Sequence, residues 1–544
     1  MRTAGLLACT LVFCFSVACF SADCRAAGTN EKSGAPGEQP HRGGIYRIPL
    51  LNEPPTLDPA YVEDLYGGSV VHQIFDGLVQ FSPELFVIPS LAENWQVEEN
   101  GKAYRFFLRP NARFHNGRTV VSQDVVFSLS RLIRVNPAPS ILPHLLKING
   151  AQAYRENKTD HVSGFTVVND RVFLVKLDEP YTPFLAALGI CQAKILPREE
   201  VESKEGSFAS RPVGTGPFRL FSREANRSIQ LQHFADYFGG APYLKEIHYL
   251  IYAGGNLELV LSDFLHGKLE EMPVYGQIRQ KVQDKKDLKW LHRPSLSLLF
   301  YGINSEHPAL RNLDLRTALG AGIDRQQIVS EVYKGQFDPA STILPPGMPG
   351  YQPQSRNWSY DLDLAKRSAK QAMGEEGKVL TVEIVSNSHS TLAQAELMLV
   401  REAWSKLGID MVPKYLPDWS EFERYVKSDS LQLYRYAWFA DIPDPDSFLQ
   451  PLFASDSRLN FMRYRNEEAD AILGKARGMT DPLERARLYQ SMEAMVAESR
   501  SLIPLFYLSV DRVYQPYVHN IQVSALGEAT ASYHRVWLSV PSEQ

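Results

Sequence analysis

Residues 434–440 read YRYAWFA. Strand side chains alternate, so Arg435, Ala437, Phe439 and Asp441 share one face while Tyr434, Tyr436, Trp438 and Ala440 share the other. The run stops against Pro443 and Pro445, because the residue before a proline is restricted and the imide has no N–H to donate. Asp444 and Asp446 read as turn residues that hydrogen-bond their own backbone. Asp441 is thereby the first carboxylate past an apolar wall, where a cation would be drawn to it. A calcium loop starting there would need Gly at its sixth position and Glu at its twelfth; Asp446 and Leu452 stand there instead.

Before this stretch, a short strand over 46–51 runs into Pro54, Pro55 and Pro59. Tyr104, Phe106 and Leu108 alternate with Arg105 and Phe107 as a half-buried strand, and His115-Asn116-Gly117 forms a turn. Ser122 is expected to cap a helix whose Val125, Leu129, Leu132 and Ile133 form one apolar face. A strand over 172–177 precedes Pro183 and an apolar segment around Cys191. Gly214, Gly216 and Pro217 mark a tight turn, and the strand-like 218–221 after it denies a phosphate loop. The second half alternates. A strand over 298–304 is followed by a helix over 313–322 with Asp324 and Arg325 at its end, and a strand over 380–384, a helix over 392–407 stopped by Gly408, and a strand over 409–412 make one βαβ unit. Asp481, Pro482 and Glu484 open a helix with cap, first-turn proline and capping box, and Leu488, Met492, Met495 and Val496 are its buried face. Strands over 505–510 and 533–540 close the chain.

Composition then bounds the whole. With 544 residues, 44% hydrophobic and 22% charged, the chain is ordinary globular material but too long for one core, so two or three domains are expected. A net charge of −5 without clustered Lys or Arg argues against a nucleic-acid surface. Residues 1–24 carry Arg2 and then an apolar run over 6–20, the pattern of a secretory leader rather than a membrane span. Two readings of its end compete: Ser16-Val17-Ala18-Cys19 resembles a lipobox, making Cys19 a lipidation site with 25–42 as a flexible tether, or cleavage falls near Ala26 or Ala27 and frees the protein. Of five cysteines, four lie in or beside this leader, so the body holds only Cys191, expected to be a buried packing residue. No His-Glu-x-x-His, Gly-x-Ser-x-Gly, Walker or Cys-x-x-Cys pattern occurs, which places a binding protein ahead of an enzyme.

Several weak motifs stand in one order: Asn52-Glu53-Pro54-Pro55-Thr56-Leu57-Asp58-Pro59; Ala92-Glu93-Asn94-Trp95; Phe114-His115-Asn116-Gly117 with Asp124-Val125; Gly214-Thr215-Gly216-Pro217-Phe218; Leu315-Arg316-Thr317-Ala318-Leu319 with Ile323-Asp324-Arg325; and 438–448. Over residues 43–544 the chain thus resembles the family 5 extracellular solute-binding proteins of bacterial ABC transporters, the oligopeptide- and dipeptide-binding group. The resemblance implies a two-lobed α/β periplasmic-binding-protein clamshell of type II with an extra domain inserted in its first lobe. The first lobe would take 43–65, 196–295 and 505–544, the inserted domain 66–195 and the second lobe 296–504, with hinge closure around a ligand.

It also implies a role for single residues. Asp441 resembles the aspartate that takes a peptide's α-ammonium, Trp438 the tryptophan beside it, Arg435 an arginine that meets a ligand's negative end, and Glu63 a cleft-rim acid; Phe439 joins this expected ligand-binding set. No match to the family's other carboxylate-binding residues stands in the sequence. The function so implied is a monomeric, exported receptor without cofactor, metal or catalysis, capturing short peptides for an inner-membrane ABC permease and staying periplasmic or lipid-anchored. The same family includes carriers of oligosaccharides, metal chelates and haem, and Tyr434, Tyr436, Trp438 and Trp419 could stack on a sugar, although an aromatic stripe more often packs a core. A hydrolase with an unrecognised site is the rival from another class.

Overall fold

A computed structural model describes residues 39–203, 207–355, 357–374 and 379–539. The leader, Cys19 and most of the tether lie outside the described residues.

The first lobe is built on a four-stranded sheet in the order Ile45–Leu50, Glu246–Ile251, Ser228–His233, Phe218–Glu224, with the first pair parallel and the others antiparallel. Tyr46, Ile48 and Leu50 alternate onto its buried face and pack with Val70, Val71 and Ile74 of the helix Leu65–Ile74. That helix starts where it does because the Asp64 carboxylate accepts from the N–H groups of Tyr66 and Gly67, two of its otherwise unpaired donors. The expected boundary at 65/66 therefore moves: this helix belongs to the first lobe's core. At the helix's C-terminal end sits the Gly214-Thr215-Gly216 turn, where an added Cβ on Gly214 would lie 2.0 Å from the Ile74 carbonyl oxygen. His115 locks the same turn. Its Nδ1 accepts from Gly214 N–H at 3.3 Å and its Nε2–H donates to the Gly216 carbonyl at 3.0 Å, a neutral tautomer that agrees with a pKa lowered to about 4 by burial. Two motifs about a hundred residues apart are thus one structural knot.

The inserted domain carries an antiparallel sheet in the order Ala92–Glu98, Ala103–Leu108, Val172–Lys176, Phe165–Asn169. Val125, Leu129, Leu132 and Ile133 of the helix Ser122–Arg134 are buried against it. Ser122 does not cap that helix. It is the first helical residue, and the Asp124 carboxylate caps by accepting from Val121 N–H at 2.9 Å.

The second lobe holds a six-stranded sheet in the order Asp338–Pro339, Leu502–Tyr507, Ser297–Ile303, Leu433–Phe439, Leu380–Ser386, Ile409–Tyr415. Every residue of Ser297–Ile303 is buried, as expected of a central strand covered on both faces. Leu380–Ser386 and Ile409–Tyr415 pair in parallel and are joined through the helix Thr391–Ser405, the βαβ unit legible in the sequence. Because Leu502–Tyr507 belongs to this sheet, the expected boundary at 504/505 cuts a strand and moves past 507. The tail strand expected over 533–540 reduces to Trp537–Leu538.

Two segments cross between the lobes. Lys289–Pro294 leads into Ser297–Ile303, Leu502–Tyr507 leads into Ser509–Tyr514, and Lys289–Pro294 and Ser509–Tyr514 pair with each other. A paired ribbon at a lobe junction is a natural hinge. Among the described residues, no helix is long and apolar enough to cross a membrane.

Candidate functional site

A cavity of about 760 Å³ opens where the lobes, the inserted domain and the tail meet. Its walls come from residues 62–65, 190–192, 439–441, 508–510, 525–527, 529 and 530, with single contributions such as Phe81, Ser140, Tyr275 and Phe337. This size suits a ligand of several residues or a drug-sized molecule. A second depression of about 680 Å³ borders the helix Ser122–Arg134, but its arginines are committed, Arg131 to Asp58 and Arg198 to Glu202.

Asp441 reaches the cavity because the strand before it ends at Phe439 and the chain is then pinned. Ala440 N–H donates to the Leu296 carbonyl at 2.8 Å, and Ile442 is buried in the apolar core of the inserted domain. Beyond it, Asp446 N–H donates to the Asp444 carboxylate at 2.9 Å, the expected turn chemistry. The structure adds two ion pairs: Arg485 grips Asp444 through bonds of 2.7 and 2.8 Å, and Arg477 grips Asp446 through bonds of 2.8 and 3.1 Å. Held on both sides, Asp441 lines the cavity as a solvent-exposed residue. It accepts no hydrogen bond and pairs with no cation among the described residues. Desolvation raises its pKa above the ordinary carboxylate value, and the negative charge of Glu63 raises it further.

Glu63 lines the same cavity, in the loop that leads to the Asp64 cap, and its carboxylate accepts from Ser140 N–H at 3.0 Å. Phe439, 57% exposed, presents its ring to the same cavity. Arg435 and Trp438 lie elsewhere, and both expectations for them require correction. Arg435 is 8% exposed and donates to both oxygens of Glu396, each at 2.9 Å, inside the second lobe. Burial alone would lower its pKa, yet Glu396 holds it charged above the ordinary arginine value. Trp438 donates its indole N–H to the Ser447 carbonyl at 2.7 Å and, like Tyr436, packs partly buried against the core that holds Tyr434, while Trp419 of the same aromatic set is 50% exposed.

Cys191 is half-buried on the cavity wall, with part of its side chain against the first lobe's core. Burial pushes its thiol up to about 12, leaving it neutral and without nucleophilic character at ordinary pH. The sequence reading missed residues 508–510, 525–527, 529 and 530. These lining residues carry neither periodicity nor charged side chains, and only the return of the tail across the hinge brings them to the site.

The family described as bacterial extracellular solute-binding proteins, family 5 (middle region), matches residues 87–460. Curated relatives include heme-binding protein A of Haemophilus influenzae, 26% identical over 80% of this chain and 81% of that protein. The probable deoxycholate-binding periplasmic protein YgiS of Escherichia coli is 28% identical over 87% and 90%. The oligopeptide-binding protein OppA of Bacillus subtilis is 26% identical over 88% and 90%. Among solved structures, the unliganded open form of the periplasmic murein tripeptide-binding protein MppA superposes with a TM-score of 0.81 at 22% identity, covering 92% of this chain and 98% of that one. The fold is therefore the two-lobed α/β clamshell. With the family's motifs in order along a chain that folds in this way, the protein belongs to the family 5 bacterial extracellular solute-binding proteins.

Proposed function

We propose that this protein is the exported receptor of an ABC importer, capturing short peptides in the cavity between its lobes and passing them to an inner-membrane permease without chemistry. The observation that carries the reading is the pair of carboxylates, Asp441 and Glu63, facing an otherwise largely apolar cavity with no cation of the described residues to neutralise Asp441. An α-ammonium placed between them replaces lost hydration by charge-assisted hydrogen bonds, about twice as strong as neutral ones. Closure about the ribbon of Lys289–Pro294 and Ser509–Tyr514 would bury the ligand. That OppA of Bacillus subtilis is named for oligopeptides supports the reading.

Relatives named for heme and deoxycholate offer a second reading, a rigid amphiphile, and the apolar walls around Phe439 and Leu65 favour it. Both of those ligands carry carboxylates, which Asp441 and Glu63 would repel, so the peptide reading stands first. Mass spectrometry of ligand released from protein purified without denaturation tests it: short peptides are expected, and recovery of a porphyrin or steroid acid would refute it. Incubation with a peptide mixture checks the absence of catalysis, since fragments appearing at catalytic rates would make it a hydrolase. Anchoring through a lipid at Cys19 belongs to the same proposal. It fails if labelled palmitate does not enter the protein, or if Cys19→Ser leaves it equally membrane-bound.

A further inference from the structure

The cavity's charge is one-sided. Glu63, Asp64 and Asp441 line it, and no lysine, arginine or histidine does so among the described residues. Three cations close in the chain to wall residues are spent elsewhere. Arg435 is paired with Glu396, Arg293 donates to the Pro83 carbonyl at 2.8 Å, and Lys194 is buried beside His72 at 3.5 Å rather than on the wall. Were it spherical, a volume of 760 Å³ would be roughly 11 Å across. An extended tripeptide spans about 10 Å. A peptide of that length is comparable to the cavity, and its free C-terminal carboxylate would meet three acids and no cation of the described residues on these walls, an unfavourable field.

We propose that this cavity selects apolar ligands carrying an uncompensated positive charge: short peptides whose carboxylate is masked or left outside, or apolar primary amines, in preference to zwitterions held at both ends. Asp441 and Glu63 jointly receive the ammonium. Asp64 is partly occupied as the helix cap and adds only its negative field. The apolar surface of Leu65, Phe337, Phe439 and Leu526 takes the ligand's body. The discrimination is made by repulsion of the wrong charge as much as by attraction of the right one.

The inference rests on the peptide-receptor reading for its peptide arm but not for its charge selection, and the experiment separates the two. Calorimetry at pH 7.5 compares trileucine, its C-terminal amide and the N-acetylated amide, together with octylamine and octanoate. The amide is expected to bind at least tenfold tighter than the free acid and at least tenfold tighter than the acetylated amide, and octylamine is expected to bind where octanoate does not. Glu63→Gln keeps the acceptor for Ser140 N–H while removing one charge. It should pull the amide-to-acid ratio toward unity without lowering the Tm, a shift that a merely structural role would not produce. A free acid that binds as tightly as its amide, or octanoate binding better than octylamine, overturns the proposal while leaving the peptide reading intact. If no peptide binds but octylamine does and octanoate does not, the peptide reading falls and charge selection stands. Silence from the peptides and octylamine together removes both.

Discussion

Arg435→Met separates a structural arginine from a ligand-binding one. In the folded protein Arg435 makes two bonds of 2.9 Å to Glu396 and one of 3.3 Å to the Tyr333 hydroxyl, while Glu396, fully buried, also accepts from Tyr301 at 2.8 Å and Tyr333 at 2.5 Å. Removing the guanidinium strands a buried carboxylate, and breaking one partner of such a pair costs about 3–5 kcal/mol. The two tyrosine hydroxyls remain as donors, which places the expected loss at the lower end, about 3 kcal/mol. Adding Glu396→Gln removes the stranded charge and keeps an acceptor for the tyrosines, so the double variant should recover most of that loss. Urea unfolding with an unchanged m-value reads the stability, and calorimetry with trileucine amide reads the affinity, which should move less than threefold. A variant within about 1 kcal/mol of wild type that loses more than tenfold in affinity would refute this account and return Arg435 to the ligand.

Asp441→Asn should weaken an ammonium ligand by about 2–5 kcal/mol, and N-acetylating the ligand should add less than its own separate effect, since both changes remove one interaction; calorimetry on the four combinations checks this. Because its pKa is raised, Asp441 should lose its charge at a higher pH than an ordinary aspartate does as pH falls. Affinity should decline there first, with proton release on binding visible in buffers of different ionisation enthalpy. Burial pushes Glu493, which accepts from the N–H groups of Ile343 and Leu344, up to about 7 from an ordinary 4.5. The folded state holds that proton, so its contribution of about 3 kcal/mol is present below pH 4.5 and lost as pH rises through 7, and Glu493→Gln should flatten this slope in urea titrations. Gly214→Ala should cost about 3 kcal/mol or more, because its Cβ would overlap the Ile74 carbonyl, whereas Gly474→Ala, in open space within the helix Glu467–Gly478, should gain up to about 1 kcal/mol in the same assay.

Local periodicity carried most of the elements. The alternation of Tyr434, Arg435, Tyr436, Ala437 and Trp438 assigned two faces of one strand, and the structure packs Tyr434 into one core and Ala437 against another. The Asp481 cap and the apolar face of the helix Ser122–Arg134 were equally legible, since capping and burial patterns are set within a few residues. So was the end of the strand before Asp441, because prolines two and four residues on cannot continue it. What the partners of each charge would be was not local. Arg435 occupies the strand face the sequence assigned to it, yet whether that face met a ligand or Glu396 depended on the helix Thr391–Ser405 crossing over the sheet. Asp444 and Asp446 looked like turn residues and became ion-pair anchors only because two later helices bring Arg485 and Arg477 beside them. Glu63 lines the same cavity as Asp441 from nearly four hundred residues away, and its wall is completed by a tail with no pattern of its own. Periodicity records which side of an element is buried; which charge lies opposite is decided by strand order and by the return of the chain across the hinge, and those exist only in the folded molecule.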